Sequence, residues 1–126
     1  MLRIDRALST LSKTTTDGLV VICSGLFRPS FKKIVSTAIQ KKLPLLACDA
    51  DHENEQGALL YYDSNRQRVG HRAAWYVDQI LKGTRPQDLP FETPTYFELI
   101  INLKTAKQIG LAIPPNVLAR ADKVIR

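Results

Sequence analysis

The chain has 126 residues, 44% hydrophobic and 24% charged, with a formal net charge of +6 and a pI near 9.6. That is enough chain for one core, and no apolar run is long enough to cross a bilayer, so an integral membrane protein is excluded. The lysines and arginines are scattered without a dense basic run, so the positive balance does not select nucleic acid as a partner.

Met1 to Lys13 carries Asp5 early and has no long apolar segment or small-residue cleavage site, so as written it holds no secretion signal and the chain is expected to stay in the cytoplasm. Ile4, Ala7, Leu8 and Leu11 instead fall at helical spacing, and the polar run Ser12 to Asp17 forms a turn. From Gly18 the uninterrupted apolar stretch LVVIC has strand length and the look of a strand covered on both faces in a parallel sheet. Ser24 and Gly25 stand at its C-terminal end. Pro29 and Ser30 open a helix that buries Phe31, Ile34, Val35, Ala38 and Ile39 and turns Lys32, Lys33, Lys41 and Lys42 to solvent. With the following LPLLAC this makes a βαβ unit.

The loop 49–56 is the most acidic part of the chain, and GALLYY after it is a third strand. Val69, Ala73, Tyr76, Val77, Ile80 and Leu81 mark one face of a helix over Arg66 to Lys82, which Gly83 closes as a left-handed cap. RPQDLPFETP is a Pro-rich connection. Tyr96 to Ile101 reads as a strand, and Asn102 can cap a helix over Leu103 to Ile109, ended by Gly110; one more helix is expected before Ile125. The alternation predicts one α/β domain over residues 1–126, a three-layer α/β/α sandwich with a mainly parallel sheet. Ligands of such sheets bind beyond the carboxyl ends of the strands, here Ser24 and Gly25, Asp49 to Asp51, Tyr62 to Ser64, and Asn102.

Chemistry-bearing patterns are sparse. Cys48, Asp49, Asp51, His52, Glu53 and Glu55 hold enough ligand atoms for a metal, but their spacing fits neither a zinc knuckle nor an EF-hand, and a solvated acidic loop is the better reading. Cys23 and Cys48 end neighbouring strands and are expected as two buried thiols; a disulfide would require export. Neither His52 nor His71 is spaced to serve a nucleophilic cysteine. There is no phosphate-cradling loop, nucleophile elbow or HExxH, so no enzyme, cofactor or metal is expected. Trp75 and Tyr76 read as helix packing rather than a stacking platform, because Tyr76 lies on the apolar stripe. The ligand-binding candidates are Ser24, Asp49, Tyr62 and Asp63, though Ser24 and Asp49 could equally cap a following turn and Tyr62 could be core.

RAAWYVDQILKG, RPQDLP, FELIINLKTAKQIGLAIP and LARADKVI, in that order, resemble the ABC transporter substrate-binding proteins of the type I periplasmic-binding fold, in the branch described as uncharacterised or aromatic-amino-acid binding. The likeness extends more weakly upstream through GALLYY to DGLVVICSG and covers the C-terminal part of such a protein. It departs at Gly57 and Ala58, where the family tends to have paired glycines, at Asp63, where it has glycine, and at Gly70, where it often has tyrosine. In that family two α/β lobes close over a small ligand. The resemblance implies that residues 1 to about 62 form the later part of the C-terminal lobe, that residues 66–90 carry the helix returning to pack on an N-terminal lobe, and that this lobe is not in the sequence, which is then a piece or a truncated reading frame of an exported, periplasmic protein.

The expected function is therefore binding and not catalysis: part of the substrate-binding component of an ABC importer, with a small polar ligand such as an amino acid and an ABC permease as partners. The alternative is a free-standing α/β interaction or regulatory domain, a homo-oligomer held by the surface the missing lobe leaves, with Trp75, Val77 and Ile80 in it.

Overall fold

A computed structural model describes residues 3–22, 24–48 and 57–126. The acidic loop, with the metal reading placed on it, and Cys23 lie outside those residues. The elements run α1 (Arg3–Thr10), β1 (Leu19–Val21), a 3₁₀ helix (Gly25–Ser30), α2 (Phe31–Gln40), β2 (Leu45–Ala47), β3 (Leu60–Ser64), α3 (Arg66–Leu81), a 3₁₀ turn (Pro86–Asp88), β4 (Phe97–Asn102), α4 (Leu103–Ile109), α5 (Pro115–Leu118) and β5 (Lys123–Ile125). The strands form one sheet in the order β1-β2-β3-β4-β5. The expected α/β class and mainly parallel sheet are what is found. Contacts gather into two compact units, Met1–Asp63 with Leu99–Arg126, and Ser64–Glu98.

The first unit is built around the βαβ crossover. β1 and β2 pair in parallel with Leu19 opposite Leu45 and Val21 opposite Ala47, and β2 continues in parallel to β3 with Ala47 opposite Tyr61. α2 lies against them because its apolar positions repeat at helical spacing: Ile34, Val35 and Ala38 are buried with Leu45, Ala47, Ala58, Tyr61 and Ile100. Each large aliphatic chain buried there contributes about 1.5–3 kcal/mol relative to exposure. Ile4 and Leu8 of α1 pack on the same cluster. α1 is tied to α2 by the Lys33–Asp5 ion pair, and the Lys41 ammonium donates to the Leu11 carbonyl just beyond the end of α1. Gly57 has φ +71°, and its carbonyl accepts the Thr105 hydroxyl at 2.8 Å. A side chain at Gly57 would be strained by that φ and would press on Val35 at 3.4 Å.

Three expectations are corrected here. β1 is not covered on both faces: Leu19 and Val21 turn inward, while Val20 and Ile22 are 68% and 69% exposed, because β1 is an edge strand with helix packing on one side only. The helix expected before Ile125 is present as the single turn α5, but the segment does not end as helix: it continues into β5, which pairs in parallel with β4 through Ile101 opposite Val124. Its alternation is too short to announce a strand without the partner beside it.

The third correction concerns Asn102. The Asn102 amide donates to the Leu59 carbonyl and the Asn65 amide to the Tyr96 carbonyl, so β4 descends as β3 rises and the two are antiparallel. Asn102 therefore ends β4 at the edge where β3 begins, not where β1, β2 and β3 end. It remains a helix cap: its side-chain oxygen accepts the Thr105 amide at 3.2 Å. α4 is held by Thr105, Ala106 and Ile109, all buried.

The second unit, Ser64–Glu98, consists of α3 and the extended stretch that follows it. Asn65 caps α3, accepting the Arg68 amide at 2.8 Å. Gly83, at φ +99°, closes it as expected: the Gly83 amide reaches the Ile80 carbonyl and the Thr84 amide the Gln79 carbonyl, both at 3.0 Å, the Schellman arrangement. No residue of this unit is buried.

Candidate functional site

The register of the parallel strands aligns the positions proposed for ligand binding. Val21, Ala47 and Tyr61 form one row pointing inward; one residue further on, Ile22, Cys48 and Tyr62 form the next, pointing to the other face. Tyr62 is 52% exposed there, and Asp63 after it is half-buried. Ser24 follows β1 and lies two strands from Asp63, on the order of 10 Å by strand spacing. The sheet thus brings Ser24, Tyr62 and Asp63 to one edge. Asp49 lies outside the described residues.

Ser24 has a structural duty at this edge. Its hydroxyl oxygen accepts the Leu26 amide at 3.3 Å and caps the 3₁₀ helix Gly25–Ser30. The hydroxyl proton remains a donor, so capping and ligand contact are compatible. Cys48 corrects the expectation of free thiols: it is disulfide-bonded. Among the described residues no cluster of three or more His, Cys, Asp and Glu gathers to hold a metal, and no helix is long and apolar enough to cross a membrane.

A second concavity lies wholly within Ser64–Glu98, a groove of about 840 Å³ between α3 and residues 90–96. Arg72 spans it, its Nε 2.7 Å from the Glu92 carboxylate and a second guanidinium nitrogen on the other carboxylate oxygen. That hydrogen-bonded pair holds Arg72 above its usual pKa and Glu92 below the ordinary carboxylate value. The Arg72 guanidinium also stacks 3.8 Å over the Trp75 ring, and Trp75 meets Tyr76 edge-on at 5.1 Å. The Tyr76 hydroxyl donates to the Pro90 carbonyl at 2.5 Å. Tyr76 thus packs as its place on the apolar stripe implies, while Trp75 is a platform for a cation. The sequence reading missed this groove because its far wall, read as a connection, is about 20 residues from the helix positions it meets.

The pattern of the family described as ABC transporter substrate binding protein matches residues 4–125. An uncharacterized protein of Rickettsia prowazekii (strain Madrid E) is 27% identical over 90 residues, 71% of this chain and 29% of that protein. Among solved structures, a conserved domain protein from Vibrio cholerae O1 biovar El Tor is 27% identical with a TM-score of 0.78 over 87% of this chain and 37% of that one. An ABC domain from Streptococcus pneumoniae, in complex with L-Trp, is 26% identical with a TM-score of 0.78 over 97% of this chain and 40% of that one. A ligand-free, open substrate-binding protein with adhesive properties from Clostridium difficile, 24% identical with a TM-score of 0.69, shares the fold. The chain spans well under half the length of each of these. With the family pattern running over residues 4–125, it belongs to the ABC transporter substrate-binding proteins.

Proposed function

We propose that the chain forms part of the substrate-binding component of an ABC importer and takes a small polar ligand, an amino acid, at the edge where β1, β2 and β3 end. The observation that carries this is the L-Trp complex of a protein whose fold covers 97% of this chain at a TM-score of 0.78. The chemistry of the edge suits the ligand: Asp63 offers a carboxylate for an ammonium group, Ser24 a hydroxyl for a carboxylate, and Tyr62 an exposed ring for an apolar side chain. The disulfide at Cys48 supports a place outside the cytoplasm, where a permease would receive the ligand. Binding without turnover is part of the proposal, and a reproducible hydrolysis of an ester, phosphate or glycoside by the purified chain would count against it.

A buried zwitterion needs partners on every side to offset its desolvation. The chain spans 40% of the L-Trp-bound protein, and the proposal assigns the opposing wall of the cleft to the remainder. Calorimetry on the 126-residue chain should then give amino-acid binding no tighter than about 1 mM, roughly 4.1 kcal/mol, weakened further by Ser24→Ala or Asp63→Ala. Micromolar binding by the chain alone would mean that the site is complete within it and would remove the two-wall account.

One observation favours a second reading, an interaction domain that self-associates: Val77, Ile80 and Leu81 of α3 are 56%, 44% and 82% exposed. Light scattering at high protein concentration, with apolar dye binding alongside, tests it; a clean monomer that binds no dye removes it.

A further inference from the structure

The lysines and arginines that are scattered in the sequence are gathered by the fold. α1 and α2 pack on one buried cluster, and Ile39 of α2 also packs against the cluster that holds Ala106 and Ile109 of α4, so the three helices lie side by side on one face of the sheet. Residues 3–10, 31–42 and 103–109, which make up that layer, contain eight lysines and arginines against one acid, Asp5, a balance of +7 in a chain whose net charge is +6. Asp5 is itself taken by Lys33. Arg6, Lys32, Lys42, Lys104 and Lys107 are exposed. Solvated helices ordinarily interleave both signs, as α3 does with Asp78 and Lys82 four residues apart. Here like charges stand three apart, as at Lys104 and Lys107, and repel one another until an anionic partner covers them.

This layer is not a face waiting for the rest of a lobe. Among the described residues no large hydrophobic side chain of α1, α2 or α4 is exposed, whereas α3 exposes Trp75, Val77, Ile80 and Leu81. The same lack sets it apart from a protein–protein interface, whose core is apolar and aromatic and poor in lysine, and from a nucleic-acid platform, which offers rings for bases to stack on. Lysines outnumber arginines six to two in the layer, point charges suited to a diffuse array of phosphates more than to a forked, bidentate contact. From these features we infer that the outer side of α1, α2 and α4 docks on the anionic phosphate headgroups of a bilayer, held by charge without insertion. The charge layer stands on the fold alone; the choice of a bilayer among anionic partners rests on the importer reading, which puts the chain beside a membrane-embedded permease. The edge where β1, β2 and β3 end has no part in it, so amino-acid calorimetry and vesicle binding can fail independently.

Sedimentation of the 126-residue chain with lipid vesicles tests this. Vesicles of phosphatidylcholine with about one third phosphatidylglycerol should carry the chain down saturably, and phosphatidylcholine alone should bind at least about tenfold more weakly, because each cation near an anionic surface contributes about fivefold. Raising the salt from about 0.05 M to about 0.5 M should release the chain. Lys32→Gln combined with Lys104→Gln, at two exposed helical positions where circular dichroism can confirm the fold, should weaken binding by about tenfold or more. Lys82→Gln combined with Arg85→Gln removes the same net charge from Ser64–Glu98 and should change binding by no more than about threefold. Equal binding to neutral and anionic vesicles, binding that salt does not weaken, equal losses in the two double variants, or no binding at low salt would each overturn the inference. So would retention on polyglutamate or on a DNA duplex under conditions where the vesicles bind nothing, because the layer would then serve another polyanion.

Discussion

The two compact units obey different rules. In Met1–Asp63 with Leu99–Arg126, apolar periodicity is matched by burial: Tyr61 and Ile101 are wholly enclosed, and Leu43, Leu45 and Leu59 nearly so. In Ser64–Glu98 the periodicity is as clear, yet Trp75, Val77, Ile80 and Leu81 stay exposed and nothing is buried. What holds α3 is instead its own caps, the Arg72–Glu92 pair and the Tyr76–Pro90 hydrogen bond. An amphipathic stripe therefore states that a face wants cover; it does not say that this chain supplies the cover.

The sharpest way to break that contrast is to cut into the first unit. Tyr61→Ala should cost about 3–5 kcal/mol in denaturant unfolding, since it empties a fully enclosed site and removes the hydroxyl that accepts the Ala58 amide at 3.1 Å. A loss below about 1 kcal/mol would mean that the core collapses around the gap, and that the burial here is less decisive than its completeness suggests.

Next in size is the cap of α4. Asn102→Ala removes the acceptor of the Thr105 amide at a buried helix start and should cost about 1–2 kcal/mol. Asn102→Asp keeps an acceptor and should recover most of that loss; if both substitutions cost the same, burial and not capping is what Asn102 provides.

Much of this fold was legible because the signals were local. The α2 stripe, the bounds of α4, the Asn102 cap and the Gly83 closure each lie within a few residues of the chemistry that causes them. The errors came from long-range pairing. Whether Val20 and Ile22 are covered, whether the stretch KVI joins a sheet, and which edge receives Asn102 depend on neighbours 20 or more residues away. The candidate site divides the same way. The strand ends followed from the βαβ pattern, whereas Arg68 on Tyr96 and Arg72 on Glu92 pair residues 28 and 20 positions apart, and no periodicity announces such pairs.

A smaller effect probes the exposed side of the contrast. Leu81→Ala truncates a side chain that is 82% exposed and should change unfolding by no more than about 0.5 kcal/mol. Amide exchange should agree: α3 should open at a lower free energy than β2 or β4. A large penalty at Leu81, or equal protection in α3 and the sheet, would show that α3 is covered in solution, as self-association would do.

The smallest effect concerns acid, and its sign follows from the Arg72–Glu92 pair. The hydrogen bond from Arg72 holds Glu92 below the ordinary carboxylate pKa. A depressed acid contributes stability that is fully present above its unfolded pKa and is lost as the pH falls through its folded one. Arg72 is raised, so its own contribution is present below its unfolded pKa and is lost only as the pH rises through the raised folded value, beyond the alkaline range in ordinary use. Acid, not base, should therefore loosen this unit. Both side chains are well exposed, so the consequence is local and screened by salt, and unfolding midpoints are a poor readout. Side-chain carboxyl resonances are a better one. The Glu92 titration should have a midpoint below the ordinary glutamate value, and Arg72→Gln should move it up. As Glu92 protonates, amides of residues 90–96 should exchange faster while those of β2 and α2 do not change. If Arg72→Gln leaves the Glu92 midpoint in place, the pair is not what sets it, and the groove must owe its shape to the Tyr76–Pro90 hydrogen bond and the stacked rings alone.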